Sequence, residues 1–209
     1  MAHLTAYQDA AYAARYKALV DRVRVAEQER AGSSRLAETV ARNYAKLMAY
    51  KDEYEVARLH ADPAFLNSIR ERFEGDYRLV FHLAPPLWAK KDPLTGEPRK
   101  TQYGPWMLAA MKLLAKFKGL RGGALDVFGY SEERRTERAL IGEYEQTVES
   151  LLKDLGRDNH ALALDIAALP EAIRGFGHIK AKSIDAARAR RADLLARWPQ
   201  AVSPSARAA

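Results

Sequence analysis

Residues 4–60 carry helical periodicity almost without interruption, and this limits the chain to architectures built on long packed helices. Tyr12, Tyr16, Leu19, Val23 and Ala26 recur at four-three-four-three spacing and line one face of a helix expected over Leu4–Ala31. Gly32 ends that helix, and Ser33 or Ser34 offers an N-cap for a second one running to about His60. Leu36, Val40, Tyr44, Leu47, Tyr50 and Tyr54 form the apolar stripe of the second helix. Each helix would be about 40 Å long at the standard rise per residue. The short break between them allows two arrangements: an antiparallel hairpin packed like a coiled coil, or a first helix that reaches away as an arm.

The remaining chain alternates short elements with clear stops. Asp62-Pro63 supplies an N-cap and a first-turn proline for a helix to about Phe73, closed by Gly75. Tyr77, Leu79, Phe81 and Leu83 alternate as in a strand, Pro85-Pro86 stops it, Asp92–Gly96 reads as a turn, and Pro98–Tyr103 returns as the partner. Such a lone hairpin must lie against helices to be stable. Gly104-Pro105 opens a third long helix with Trp106, Ala110, Leu113, Phe117 and Leu120 on one face. Ser131 caps the next helix, with Ile141, Tyr144, Val148, Leu151 and Leu155 at three-four spacing. Asp158 caps a short helix stopped by Pro170, and a last helix starts near Gly177 or His178 and ends before Pro199. The expected fold is therefore mainly α: a helical bundle with two long N-terminal helices in a hairpin or arm, plus one small β-hairpin around 77–103. Residues 1–199 are read as a single, mostly helical domain, with 1–60 as the hairpin or arm and 61–199 as the body. Residues 200–209 are read as a disordered tail.

The chain has 209 residues, long enough for a sizeable core, and 48% hydrophobic and 29% charged residues, as in ordinary globular proteins. No apolar run approaches membrane-spanning length, and Gln8 and Asp9 interrupt any signal-like start, so a cytoplasmic, non-membrane protein is expected. Zero cysteines removes disulfides, thiolate metal sites, iron–sulfur ligation and cysteine nucleophiles from these residues. The net charge of +7 is spread over most helices and lacks the aromatic or recognition-helix patterns of nucleic-acid binders, so no nucleic-acid partner is predicted.

Catalytic motifs are equally scarce. His3, His60, His82, His160 and His178 include no i, i+4 pair, and although His60 and His82 are able to meet in space, no metal site is predicted. Arg121-Gly-Gly123 lacks the Lys-Ser/Thr of a phosphate loop, and no nucleophile elbow is present. No catalytic or cofactor-binding residue is assigned. Two patches remain. Lys51, Asp52, Glu53, Tyr54 and Arg58 form a dense polar stretch, with Lys51 and Glu55 at i+4, which reads as an ion-paired surface or interdomain patch. Arg174, His178, Lys180 and Lys182 surround a glycine-rich helix start that suits an anion such as a phosphate, or a partner's carboxylate. The alternative there is a tight glycine turn with Phe176 plugged into the core.

Four strings carry a family resemblance: Lys46-Leu-Met-Ala-Tyr-Lys-Asp-Glu-Tyr-Glu-Val-Ala-Arg-Leu59, Phe81-His-Leu-Ala-Pro-Pro86, Phe128-Gly-Tyr-Ser-Glu-Glu-Arg-Arg135 and Ile173-Arg-Gly-Phe-Gly-His-Ile-Lys180. In order and spacing they resemble the C-terminal region of the fused indolepyruvate:ferredoxin oxidoreductases, over about Leu4–Trp198. The resemblance implies a parent enzyme that oxidatively decarboxylates aryl 2-oxoacids to acyl-CoA and passes electrons to ferredoxin. It also implies thiamine diphosphate, Mg2+ and iron–sulfur clusters held upstream, since no Gly-Asp-Gly or Cys-x-x-Cys motif occurs here. This chain would then be a non-catalytic C-terminal structural or interaction segment, with Met1-Ala-His3 a start that is not native. Its expected partners are the remaining domains of the parent enzyme, with homodimer formation, ferredoxin docking on the basic last helix, or recognition of a CoA phosphate as further alternatives.

Overall fold

A computed structural model of the chain describes residues 1–85 and 99–201. In chain order it comprises α1 (Ala2–Tyr7), α2 (Ala10–Arg30), α3 (Arg35–Met48), α4 (Glu53–Ala61), α5 (Pro63–Arg72), β1 (Phe81–Leu83), β2 (Thr101–Tyr103), α6 (Trp106–Lys116), α7 (Glu132–Lys153), α8 (His160–Ala168) and α9 (Gly177–Ala201). The fold is mainly α with one small antiparallel hairpin, as the periodicities predict. Pro86, the Asp92–Gly96 turn, Pro98 and the tail beyond 201 lie outside the described residues. The chain divides into two compact units, one formed by residues up to Tyr50 together with those from Glu132 onward, the other by Lys51–Ser131.

In the first unit α3 packs against α2, α7 and α8, and α8 packs against α9. Val23, Val40, Tyr44, Val148, Leu151 and Ile166 are all but inaccessible at its centre. Tyr16, Tyr44 and Tyr144 stack in series across α2, α3 and α7, with ring centroids 5.7 and 6.1 Å apart. Helix ends in this unit are satisfied from across the bundle. The buried carboxylate of Glu27 accepts from the backbone N–H groups of Leu36 and Ala37, both at 2.8 Å, and from His160 Nε2 at 2.7 Å. Burial raises the pKa of Glu27, but these donors outweigh it and hold the group below the ordinary carboxylate range. Arg30 donates to the carbonyls of Leu152 and Lys153 at the end of α7.

The two long N-terminal helices are each broken. Asp9 accepts from Tyr12 N–H at 2.7 Å and starts α2 afresh after α1. α3 stops at Met48, because the carbonyl of Met48 is taken by Tyr12 OH and that of Tyr50 by Tyr7 OH, both at 2.9 Å. Asp52 then begins α4 as its N-cap, accepting from Glu55 N–H at 2.8 Å. Gly32 does end α2, in the left-handed conformation at φ 65°. α2 and α3 pack on one another across that turn, which is the hairpin arrangement. Ser34 stands at the N-cap of α3 as expected, but its side chain bonds Glu38; Ser33 accepts from Arg35 N–H, and Glu27 takes the N–H groups of Leu36 and Ala37. Asn159 rather than Asp158 stands at the N-cap position of α8. α9 also runs through Pro199 to Ala201, so the expected stop before Pro199 is displaced. A proline so close to the helix end forgoes one intrahelical bond without ending the helix earlier.

In the second unit α4 packs against α5 and α6. Phe81 pairs with Tyr103, His82 with Gln102 and Leu83 with Thr101 in the antiparallel hairpin. Only the last three residues of the expected Tyr77–Leu83 strand find ladder partners. Ala57, Phe81, Met107 and Met111 form a small buried cluster. α6 thus turns Met107 and Met111 inward, whereas Trp106, Ala110, Leu113 and Phe117 of the expected core stripe are exposed. This helix is apolar nearly all round, so its sequence contains two competing stripes and cannot say which one is covered. Among the described residues no helix is long and apolar enough to cross a membrane.

Candidate functional site

The polar stretch that follows α3 is organised by burial rather than by solvent. Asp52 and Arg121 form a bidentate ion pair whose side chains are only 4% and 3% exposed. The Arg121 guanidinium also lies over the Tyr54 ring, 5.7 Å from its centroid. Tyr54 donates to Asp126 Oδ1 at 3.3 Å and meets Phe128 edge-on at 5.3 Å. Asp126 in turn accepts from the backbone N–H groups of Gly122 at 2.7 Å and Gly129 at 3.0 Å. Burial, reinforced by Asp126 and Asp52, pushes the Tyr54 hydroxyl up to about 12, so at neutral pH it stays protonated and can donate to Asp126. Beside this group, Glu55 is buried and held by Arg58 through two bonds of 2.7 and 2.8 Å. The expected Lys51–Glu55 pair does not form: Lys51 precedes α4 and is exposed, and Arg58 takes Glu55 instead.

This network corrects the solvated-face reading for Asp52, Tyr54 and Glu55, while Glu53 and Arg58 remain half-buried. Arg121 and Asp126, which complete it, were not singled out from sequence as site residues. The Asp126-Val-Phe-Gly129 spacing holds a usable signal, since an Asp followed by Gly three residues on suits a side-chain-to-backbone turn. Each oxygen of Asp52 and Asp126 accepts from within the same unit. Such carboxylates anchor a loop to a helix; proton transfer would require one of these bonds to open.

The second patch lies in the other unit, at the start of α9. Gly175 and Gly177 adopt left-handed φ angles of 95° and 53°. A Cβ on Gly175 would meet Ile179 Cγ2 at 2.7 Å, so the turn requires glycine there on two counts. Phe176 is 74% exposed, which overturns the expectation that it plugs the core. Arg174 and Ser183 close the turn: Arg174 N–H donates to Ser183 Oγ at 3.2 Å, and the Arg174 side chain donates to the Glu171 carbonyl at 3.1 Å. Lys180 is paired with the buried carboxylate of Glu137, which Arg134 also holds. His178 and Lys182 are exposed. Lys46 reaches the same turn and donates to the carbonyls of Pro170 at 2.7 Å and Ile173 at 3.0 Å. Burial first, and then the cations of Arg174 and Lys180, push Lys46 below the ordinary lysine range.

Two hollows accompany these patches, one in each unit. Leu47, Tyr144, Ile166, Ile173 and Ile184 line the first, whose rim carries Glu143 paired with Arg188 and Arg191. It encloses about 40 Å³, room for a few waters at most. The second encloses about 220 Å³ and brings together His60 and His82 with Phe65 and Phe81. His60 is pinned there, its Nδ1 donating to the Val56 carbonyl at 2.8 Å. Among the described residues no three His, Asp or Glu side chains gather closely enough to hold a metal ion.

A family model described as a family of unknown function, DUF6537, matches residues 1–193. The chain belongs to that family. No curated protein and no solved structure matches it.

Proposed function

We propose that the chain is a non-catalytic helical module of an enzyme resembling the fused indolepyruvate:ferredoxin oxidoreductases, placed after that enzyme's catalytic parts and in contact with them. One observation carries this reading: several polar and aromatic residues of the resembling strings spend their chemistry on the fold of this chain. Lys46 closes the turn before α9, Asp52 and Tyr54 hold the 121–131 loop, Phe81 enters the small cluster, and Phe128 meets Tyr54 edge-on. Strings that recur for structure rather than turnover suit a scaffold. In this reading thiamine diphosphate, Mg2+ and iron–sulfur clusters belong to the remainder of a cytoplasmic enzyme, whose reaction is oxidative decarboxylation of aryl 2-oxoacids. The test is deletion of Leu4–Trp198 from such an enzyme, followed by oligomeric state and 2-oxoacid-dependent acceptor reduction. Lost assembly with normal turnover in the folded remainder supports a scaffold; intact assembly with lost CoA or ferredoxin dependence overturns it.

A second reading, an anion or ferredoxin contact at Arg174, His178, Lys180 and Lys182, draws on the exposure of Arg174, His178 and Lys182 around the glycine-rich start of α9. It expects CoA or inorganic phosphate to shift signals from this turn, and the shift to vanish when Arg174→Ala is combined with Lys180→Ala. Ferredoxin binding of this kind weakens as salt rises.

A further inference from the structure

The exposed residues of α6 are of two kinds only. Trp106, Ala109, Ala110 and Leu113 are apolar, and Lys112 and Lys116 are cationic. Phe117, at the C-terminal end of the helix, extends the apolar set. Trp106, Leu113 and Phe117 are 62%, 57% and 47% exposed, far above what large apolar side chains in a covered stripe show. Trp106, Ala110, Leu113 and Phe117 follow the i, i+4, i+7, i+11 spacing of a single helical face about 16 Å long. The neighbouring flank is already used, with Met107 and Met111 buried in the cluster that includes Ala57 of α4. On the exposed face the large side chains stand at the ends, and Ala109 and Ala110 leave a notch between Trp106 and Leu113.

Charge decides what fits this face. α6 contains no Asp or Glu, and its lysines lie along one edge of the stripe at positions 112 and 116. A second copy laid face to face would bring lysines against lysines or leave them beside bare apolar surface. A helix that lies in a lipid surface carries cations across a broad polar face; here Lys112 and Lys116 alone make a narrow cationic edge. We infer that α6 docks an acidic amphipathic helix of another protein segment, whose apolar ridge enters the Ala109–Ala110 notch and whose Asp or Glu residues meet Lys112 and Lys116. This deepens the reading of the chain as an interaction module, and rests on it, by naming one surface and the chemistry of its partner.

The test uses the full chain and two labelled 18-residue helical peptides with the same leucine ridge, one flanked by glutamates and one by lysines. Fluorescence anisotropy at low salt is expected to give at least tenfold tighter binding of the acidic peptide, with the preference shrinking as salt rises. Leu113→Asp and, separately, Ala110→Glu should abolish binding while the circular dichroism spectrum and urea midpoint stay unchanged. Combining Lys112→Glu with Lys116→Glu should invert the preference. Equal binding of both peptides, binding of neither, or binding indifferent to both single substitutions overturns the inference. So does capture by phosphatidylserine vesicles in preference to either peptide, or self-association of the chain that Leu113→Asp removes. If deletion of the segment dismantles the parent enzyme while neither peptide binds, this surface fails and the module reading stands. If deletion leaves assembly untouched while the acidic peptide binds, the surface stands and the scaffold reading fails.

Discussion

The two units of this chain bury their apolar side chains to very different extents. Among the described residues, twenty-six buried apolar residues form the core of the first unit, against four in the small cluster of the second. Conversely, Leu59, Phe65, Phe73, Tyr77, Trp106, Leu113, Phe117, Leu125, Val127 and Tyr130, all in the second unit, are exposed. The first is held by close packing supplemented by caps, and the second by a buried ion pair and its attendant hydrogen bonds. The comparison teaches that polar clamps can fix a small unit while leaving its apolar surface available for contact.

The strongest way to break that comparison is to remove the clamp. Asp52→Ala should cost the second unit about 4 kcal/mol, since it strands the Arg121 charge and removes the α4 cap, and urea unfolding measures it. If the loss is below about 1 kcal/mol, the clamp does not hold the unit. Next, the same truncation in each unit should give opposite results. Leu151→Ala, in the first core, is expected to cost about 3 kcal/mol. Leu113→Ala, on the exposed stripe, should change stability by no more than about 0.5 kcal/mol.

The acid response sharpens the contrast further. Glu27, Glu143 and Glu145 all lie in the first unit, and in each the donors outweigh burial and depress the pKa. A depressed carboxylate contributes stability that is full above its unfolded pKa of about 4.3 and is lost as pH falls through the lower folded value. The hydrogen-exchange protection factors of α3 amides should therefore fall below about pH 4.3. Glu27→Gln should cost about 2 kcal/mol at pH 7 and flatten part of that acid limb. Tyr12→Phe should cost about 1 kcal/mol, from the unpaired Met48 carbonyl, read as a lower thermal midpoint.

Sequence reasoning succeeded where one local signal decided the outcome. Asp62 caps α5 with Pro63 in its first turn, Gly32 ends α2, and α9 begins at Gly177. It failed where a distant group decided. Nothing near Ser34 announces that Glu27 and His160 meet at the start of α3, and nothing near Met48 announces the hydroxyls of Tyr7 and Tyr12. The candidate site shows the same division. The Lys51–Arg58 stretch stood out by composition, but its chemistry depends on Arg121, 69 residues from Asp52. In α6 the apolar period was legible, whereas which of two stripes finds a partner depends on the elements around it.

The position of the second unit between α3 and α7 sets a timetable for folding. Its residues are contiguous, so as the chain is synthesised all of Lys51–Ser131 emerges before α7 begins. Meanwhile α1–α3 lack the partners that complete their core, since Arg15 pairs with Glu145 130 residues on, and Glu27 meets His160 133 residues on. Contacts of such high sequence separation close late. The amphipathic hairpin of α2 and α3, with its tyrosine face uncovered, is therefore the part of a nascent chain most in need of protection, and the last 70 or so residues are what relieve it.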